Sequence, residues 1–182
     1  MRVRQDELVT ANRALSAKNE ALEKKVADLE QYSRLNNVEI KGVPVTQNED
    51  CLAIVKTIGN AIGCSVSPSD LDVVHRVATK SKEKNIIARF CCREKKGEFV
   101  RRARKARLRT GQSGFSGSTD AAVFVNDHLT VENKRLFSKA LALKKEKSWQ
   151  FLWTDNCQIK ARQTSSSKVF ILKSENDLRV FN

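Results

Sequence analysis

LEQYSRLNNVEIKGVP, residues 29–44, joins two kinds of structure with almost no spacer. Leu29 is the last of four leucines, after Leu8, Leu15 and Leu22, that recur every seven residues. Asn37-Val38-Glu39-Ile40-Lys41 then alternates as a strand does, and Gly42-Val43-Pro44 stops it. A coiled coil therefore runs into a sheet-forming domain after the eight residues Glu30 to Asn37, too few for a free tether.

Upstream, a seven-residue repeat keeps one seam of a helix apolar and imposes a supercoil. The four leucines hold one seam position, and Gln5, Asn12, Asn19 and Val26 hold the other. Asparagine in a seam costs stability and fixes register, because a slipped helix buries an unpaired amide. Lys18 with Glu23, and Lys25 with Glu30, stand where charges reach between neighbouring helices. Lys25-Val26-Ala27-Asp28-Leu29-Glu30 resembles a basic–apolar–x–x–apolar–Glu pattern of trimeric coiled coils, with lysine in place of arginine. The oligomerisation residues expected are Leu8, Asn12, Leu15, Asn19, Leu22, Lys25, Val26, Leu29 and Glu30. A trimer is favoured, with a dimer or a single amphipathic helix as the alternatives.

Downstream, residues 48–63 carry an apolar stripe of Leu52, Val55, Ile58 and Ile62 at helical spacing, closed by Gly63. Residues 71–77 and 85–90 alternate as strands, 93–109 reads as a second helix with Phe99, Val100, Ala103 and Ala106 inward, and 121–125 as a last strand after the loop GQSGFSGSTD. The order βαββαβ predicts four antiparallel strands with two helices on one face and the other face open, the ferredoxin-like plan of RNA-recognition folds. Beyond it, Thr130 is placed to cap a helix reaching about Lys147, and 149–153 and 158–162 form a hairpin. A third strand over 169–172 and a terminal helix capped by Ser174 complete the chain. The expectation is an α+β protein with a coiled coil over 1–32, an RNA-recognition-motif-like domain over 33–126 and a small α/β domain over 127–182.

Charge narrows the function. The chain of 182 residues carries 34 basic and 21 acidic side chains, a net +13. Residues 1–32 are balanced, so the excess belongs to the globular part, and a basic domain suits an anionic partner. Residues 93–109 hold nine basic and two acidic groups, a density that repels itself unless a polyanion neutralises it. Long basic stems covering a solvated helix face are the plainer account of that run. Arg101, Arg102, Arg104, Lys105 and Arg107 are its candidate contacts, with Lys41, Arg76 and Arg89 on the strands and Lys134 and Arg135 on the helix beyond. If Phe90 is core, Arg89 faces the ligand side. No pair of aromatic residues is arranged there as the ribonucleoprotein signature requires. Trp149, Phe151 and Trp153 share one face of a strand, either to stack bases or to pack beneath helix 130–147, while Lys160 and Arg162 reach toward phosphate.

Other classes find little support. No run approaches the roughly 18 apolar residues of a membrane span, and the N-terminus is unlike a signal peptide. The five cysteines form no CxxC pair, which points to reduced, largely buried thiols rather than zinc. No nucleophile–base set, paired carboxylates or phosphate-cradling glycine loop appears, so no enzyme, cofactor or small-molecule substrate is expected.

Taken in order, the heptads, Tyr32-Ser33-Arg34-Leu35-Asn36-Asn37-Val38-Glu39-Ile40-Lys41-Gly42-Val43-Pro44, Val74-His75-Arg76-Val77, Ile86-Ile87-Ala88-Arg89-Phe90, Val125-Asn126-Asp127-His128-Leu129-Thr130 and Phe151-Leu152-Trp153-Thr154-Asp155-Asn156 resemble the nucleic-acid-binding first-open-reading-frame protein of LINE-type retrotransposons. The likeness is to the arthropod branch, which shares its C-terminal part with the baculovirus few-polyhedra protein. The resemblance implies a trimeric protein that coats its transcript, binds single-stranded RNA (DNA remaining open) with little sequence preference, and acts as a nucleic-acid chaperone in a cytoplasmic ribonucleoprotein, with the nucleus as a second compartment. It also implies that Arg34 and Arg89 contact the strand. Leu35 and Glu39 stand where relatives often carry arginine, and Cys157 where a glycine is usual in the turn after Asn156. A coiled-coil adaptor of the few-polyhedra type, acting through protein partners, is the alternative.

Overall fold

The computed structural model describes residues 2–78, 84–111, 115 and 120–181, side chains of residues 2 and 3 excepted. Two compact units emerge, residues 1–33 and residues 34–182.

The first unit is one α-helix, α1 (Arg2–Ser33), a rod of about 48 Å at 1.5 Å per residue. Alanine, leucine, glutamate and lysine dominate it, residues that lose little freedom in a helix. Leu8, Leu15, Leu22, Val26 and Leu29 are all exposed along it. The seam expected from the heptads is therefore present and uncovered within this unit.

The second unit holds two sheets. β1 (Asn37–Lys41), α2 (Cys51–Ala61), β2 (Leu71–Val77), β3 (Asn85–Phe90), α3 (Arg93–Ala106) and β4 (Phe124–Asp127) build an antiparallel sheet ordered β2-β3-β1-β4. The middle strands pair Val38 with Ala88 and Ile40 with Ile86, so one face is apolar along its centre. On it lie Val55 and Ile58 of α2 and Phe99, Val100 and Ala103 of α3, all buried. Phe90 and Phe99 meet with ring centroids 5.3 Å apart, in a tilted arrangement that adds roughly 0.5–1.5 kcal/mol to simple burial. Phe90 is thus core and Arg89 is exposed on the opposite face.

Local chemistry sets the ends. Asp50 caps α2 by accepting the N–H groups of Leu52 (2.8 Å) and Ala53 (3.2 Å), so the helix begins three residues later than its apolar stripe suggested. α3 stops at Ala106, short of the expected 109, because Arg107 turns left-handed at φ 49° and delivers Leu108 to the core. Ala106 is exposed rather than inward. The last strand of this sheet spans Phe124–Asp127 rather than 121–125, and Ala122 bridges instead to Arg109. Most of the GQSGFSGSTD loop lies outside the described residues. Gly42 has φ +82°, and a Cβ there would come within 2.2 Å of the Ala122 carbonyl oxygen, so the stop to β1 needs glycine twice over.

α4 (Val131–Glu146), β5 (Phe151–Asp155), β6 (Gln158–Arg162) and β7 (Phe170–Leu172) follow, with the three strands in an antiparallel sheet. Thr130 caps α4, its hydroxyl accepting the Asn133 N–H at 3.3 Å. The chain ends in a 3-10 helix, Glu175–Phe181, whose entry is held by the Asp177 carboxylate accepting from Lys173 and Ser174. Leu136, Ala140, Trp149, Ile159, Ala161, Leu172 and Phe181 form a second core.

The expected boundary at 126/127 falls inside one compact unit. Asp127, at the end of β4, accepts hydrogen bonds from Lys96 of α3 and from Thr154 of β5 (2.7 Å). Arg104 of α3 donates to the Thr154 carbonyl and hydroxyl, both at 2.7 Å. Among the thiols, Cys64 and Cys157 are buried, but Cys91 and Cys92 are exposed, contrary to the expectation of largely buried cysteines.

Candidate nucleic-acid interface

The three aromatic residues expected on one face separate in the fold. Ser148 adopts φ 54° after α4, and Trp149 donates its N–H to the Lys144 carbonyl at 2.9 Å, closing the helix as a left-handed cap does. Its ring turns into the second core, 4.5 Å from the Phe181 centroid and 5.8 Å from that of Phe170. The strand begins only at Phe151, so the alternation that linked Trp149 to Phe151 is broken.

Phe151 and Trp153 do share a face. Phe151 pairs with Arg162, Trp153 with Lys160, and Lys160 with Ile171 on β7. Leu152, Thr154, Ile159 and Ala161 point the other way, toward the core. The outer face of this sheet therefore carries two rings, two cations and an isoleucine. Phe151 is 37% exposed and Ile171 45%. The Arg162 guanidinium lies over the Phe151 ring at 4.9 Å, which fixes a planar cation beside the Trp153 position. Lys160 is held by Asp155 at 2.6 Å. A flat aromatic next to oriented cations suits an unpaired base and its phosphate, since every base has a π-face to offer.

The cations of α3 divide by partner. Arg101 and Lys105 are exposed along the helix, and Arg107 is exposed at the left-handed residue that ends it. Arg102 donates to the Gly63 carbonyl (2.5 Å) and pairs with Glu98 (2.7 Å). Arg104 is engaged by Thr154 and Asp127 as above, so its place is in the joint between the two sheets and not on a ligand face. Arg76, another expected contact, is a fold clamp. All five of its N–H donors are taken: Glu49 accepts two, and the carbonyls of Val43, Pro44 and Lys84 accept the others. Hydrogen bonding by Arg76 holds the Glu49 carboxyl below the usual carboxylate range. The sequence shows Arg76 only as a strand cation, and the tertiary fold brings Glu49 to it.

The face of the first sheet opposite its helices is not open at its centre. Glu39 and Ile87 are buried there, while Val73, Arg89 and Phe124 remain exposed toward the edges. Glu39 accepts from Lys134 (2.8 Å) and Asn85 (2.9 Å), with Lys41 at 3.6 Å. Arg89 faces Asp72 at 3.4 Å, and Arg135 is exposed on α4. The sequence signal for this buried acid was present, an acid alternating with valine and isoleucine in β1, but its partners come from β3 and α4.

Arg34 donates toward His128 Nε2 (3.3 Å) and the Leu129 carbonyl (3.4 Å). Because a guanidinium only donates, Nε2 is the acceptor and His128 is neutral, while the Asn37 side-chain amide lies 3.3 Å from Nδ1. Burial, aided by Arg34, pushes the His128 pKa down to about 4. The unfolded chain therefore binds a proton that the native one refuses, and stability falls as pH drops from about 6.5 toward 4. Thermal melts at pH 7 and pH 5 check this: His128→Gln flattens the difference between them.

Residues 130–182 match the family described as Baculovirus FP protein domain 2. The match takes in α4, the three-stranded sheet and the terminal 3-10 helix. Among curated proteins none matches the chain. Among the described residues no helix is long and apolar enough to cross a membrane.

Proposed function

We propose that the chain is a self-associating, largely sequence-nonspecific binder of single-stranded nucleic acid, RNA first. The observation that carries this is the outer face of the C-terminal sheet, where Phe151 and Trp153 stand beside Lys160 and Arg162. The exposed cations of α3 add a backbone-tracking surface, and phosphate charge supplies most of the affinity. Trimeric assembly through the α1 seam, a chaperone activity built from many weak contacts, and a ribonucleoprotein setting belong to the same reading. They are supported by the exposed leucine row and by the ordered resemblance of the sequence motifs to the LINE-type proteins.

The test is fluorescence anisotropy with a labelled single strand. Trp153→Ala weakens binding about tenfold or more, since base–aromatic stacking is worth roughly 1–3 kcal/mol. Trp149→Phe, in the second core, leaves affinity unchanged. Log affinity falls with log salt at about −0.7 per phosphate contact. An affinity indifferent to both Trp153 and salt removes the proposal.

The match over residues 130–182 is also consistent with a second reading, an adaptor of the baculovirus FP type that works through protein partners. That reading expects no salt-sensitive strand binding at all, so the same titration separates the two.

A further inference from the structure

Glu39 stands out among the acids of this basic protein. Its carboxylate is 4% exposed, on the sheet face that carries Arg89, and Lys134 and Lys41 lean over it from two different elements. Those two ammonium groups keep 40% and 43% of their side-chain surface in solvent. Burial by itself pushes the Glu39 carboxyl up, but Lys134, Lys41 and Asn85 outweigh it and hold the group below the usual range, so it is ionised at neutral pH. The arrangement is one buried anion with two half-exposed cations spread above it. An ammonium holding a carboxylate at 2.8 Å contributes less field to the solvent than a bare one, and a phosphate arriving there meets the carboxylate's repulsion as well.

We infer that Glu39 is a built-in competitor of the nucleic-acid phosphate, holding Lys134 and Lys41 and setting how tightly this face takes a single strand. The sheet face thus discriminates among polyanions by linear charge density: a ligand must present enough phosphate charge to draw both ammonium groups off their internal carboxylate. The inference rests on the single-strand reading above.

A double-mutant cycle on the full chain tests it, with anisotropy of a labelled single strand across a salt series. Glu39→Gln keeps the shape and the Asn85 contact while removing the charge. It tightens binding about five- to tenfold at low salt and steepens the log–log salt slope by about 0.7, one added phosphate contact. In a Lys41→Gln, Lys134→Gln background most of that gain disappears, because the cations it releases are gone. Glu132→Gln, which removes an exposed charge from the first turn of α4, calibrates the general effect of a more positive protein and gives a smaller gain. Circular dichroism confirms that each variant keeps its fold. A Glu39→Gln gain no larger than that of Glu132→Gln, or one that survives intact without the two lysines, overturns the inference while leaving the single-strand reading standing. A wild-type chain that ignores single strands overturns both.

Discussion

Lys96→Ala lowers the unfolding free energy by about 3–5 kcal/mol, the cost of stranding one member of a buried ion pair. Lys96 is only 1% exposed, and its ammonium meets the Asp127 carboxylate in the seam between the first sheet and the second. Removing it leaves Asp127 with Thr154 and, at 3.4 Å, Arg104. A domain of this size has some 5–15 kcal/mol in total, so the variant unfolds at markedly lower urea or temperature. The pH behaviour identifies the cause. Burial pushes the Asp127 carboxyl up, but Lys96, Thr154 and Arg104 together hold it below its ordinary value. In the wild type this group contributes stability above its unfolded pKa, near 3.8, and the contribution is lost as pH falls through the lower native value. Without Lys96, burial dominates and the native pKa rises. The variant then gains stability on mild acidification, where the wild type does not. Replacing both members, Lys96→Met with Asp127→Leu, costs much less than either single change, because no charge is left without a partner. Equal losses for the single and double variants would show that the seam depends on shape and not on this charge pair.

Leu15→Glu with Leu22→Glu reduces single-strand affinity about a hundredfold in the proposed assembly, the usual scale of avidity lost when linked sites become separate. Both leucines are exposed on α1, and residues 34–182 carry their own two cores, so the globular part keeps its melting behaviour. Only three residues, 34–36, separate α1 from β1 in the chain. Sites joined through so short a connection meet a bound strand at high local concentration. Light scattering supplies the second readout: the intact chain is a trimer and the double variant a monomer. An intact chain that is monomeric at micromolar concentration would sink the avidity argument, and with it the reason for a leucine row.

Much of the architecture was legible because periodicity reports local structure. The strands at 37–41, 71–77 and 85–90 and the cap at Thr130 all follow from alternation or from a single hydroxyl, and each is found where the pattern puts it. The deviations share a physical origin. Ser148 takes a left-handed turn although it is not glycine, so Trp149 leaves the aromatic row for the core. The left-handed Arg107 likewise ends α3 early. Neither conformation is written in residue type. At the candidate interface, the shared face of Trp153, Lys160 and Arg162 was reachable from strand alternation. The engagement of Arg76 by Glu49, of Arg104 by Thr154 and of Lys134 by Glu39 was not, since each joins residues 27 to 95 positions apart. A count of positive charge treats these arginines and lysines alike, whereas the fold spends some of them internally and leaves others to solvent. The turn at Asn156-Cys157 was readable in both respects: φ values of 48° and 62° confirm the strain that glycine would relieve.

The hinge of hydrogen bonds around Thr154 bears on how such a protein can be taken apart. A transplant of residues 130–182 into another host would carry Thr154 away from Asp127 and Arg104, leaving raw polar groups where a neighbour used to be. The piece that keeps these bonds is 34–182, and recombination, crystallisation trimming or fusion design that cuts between the sheets leaves Asp127 and Arg104 without Thr154.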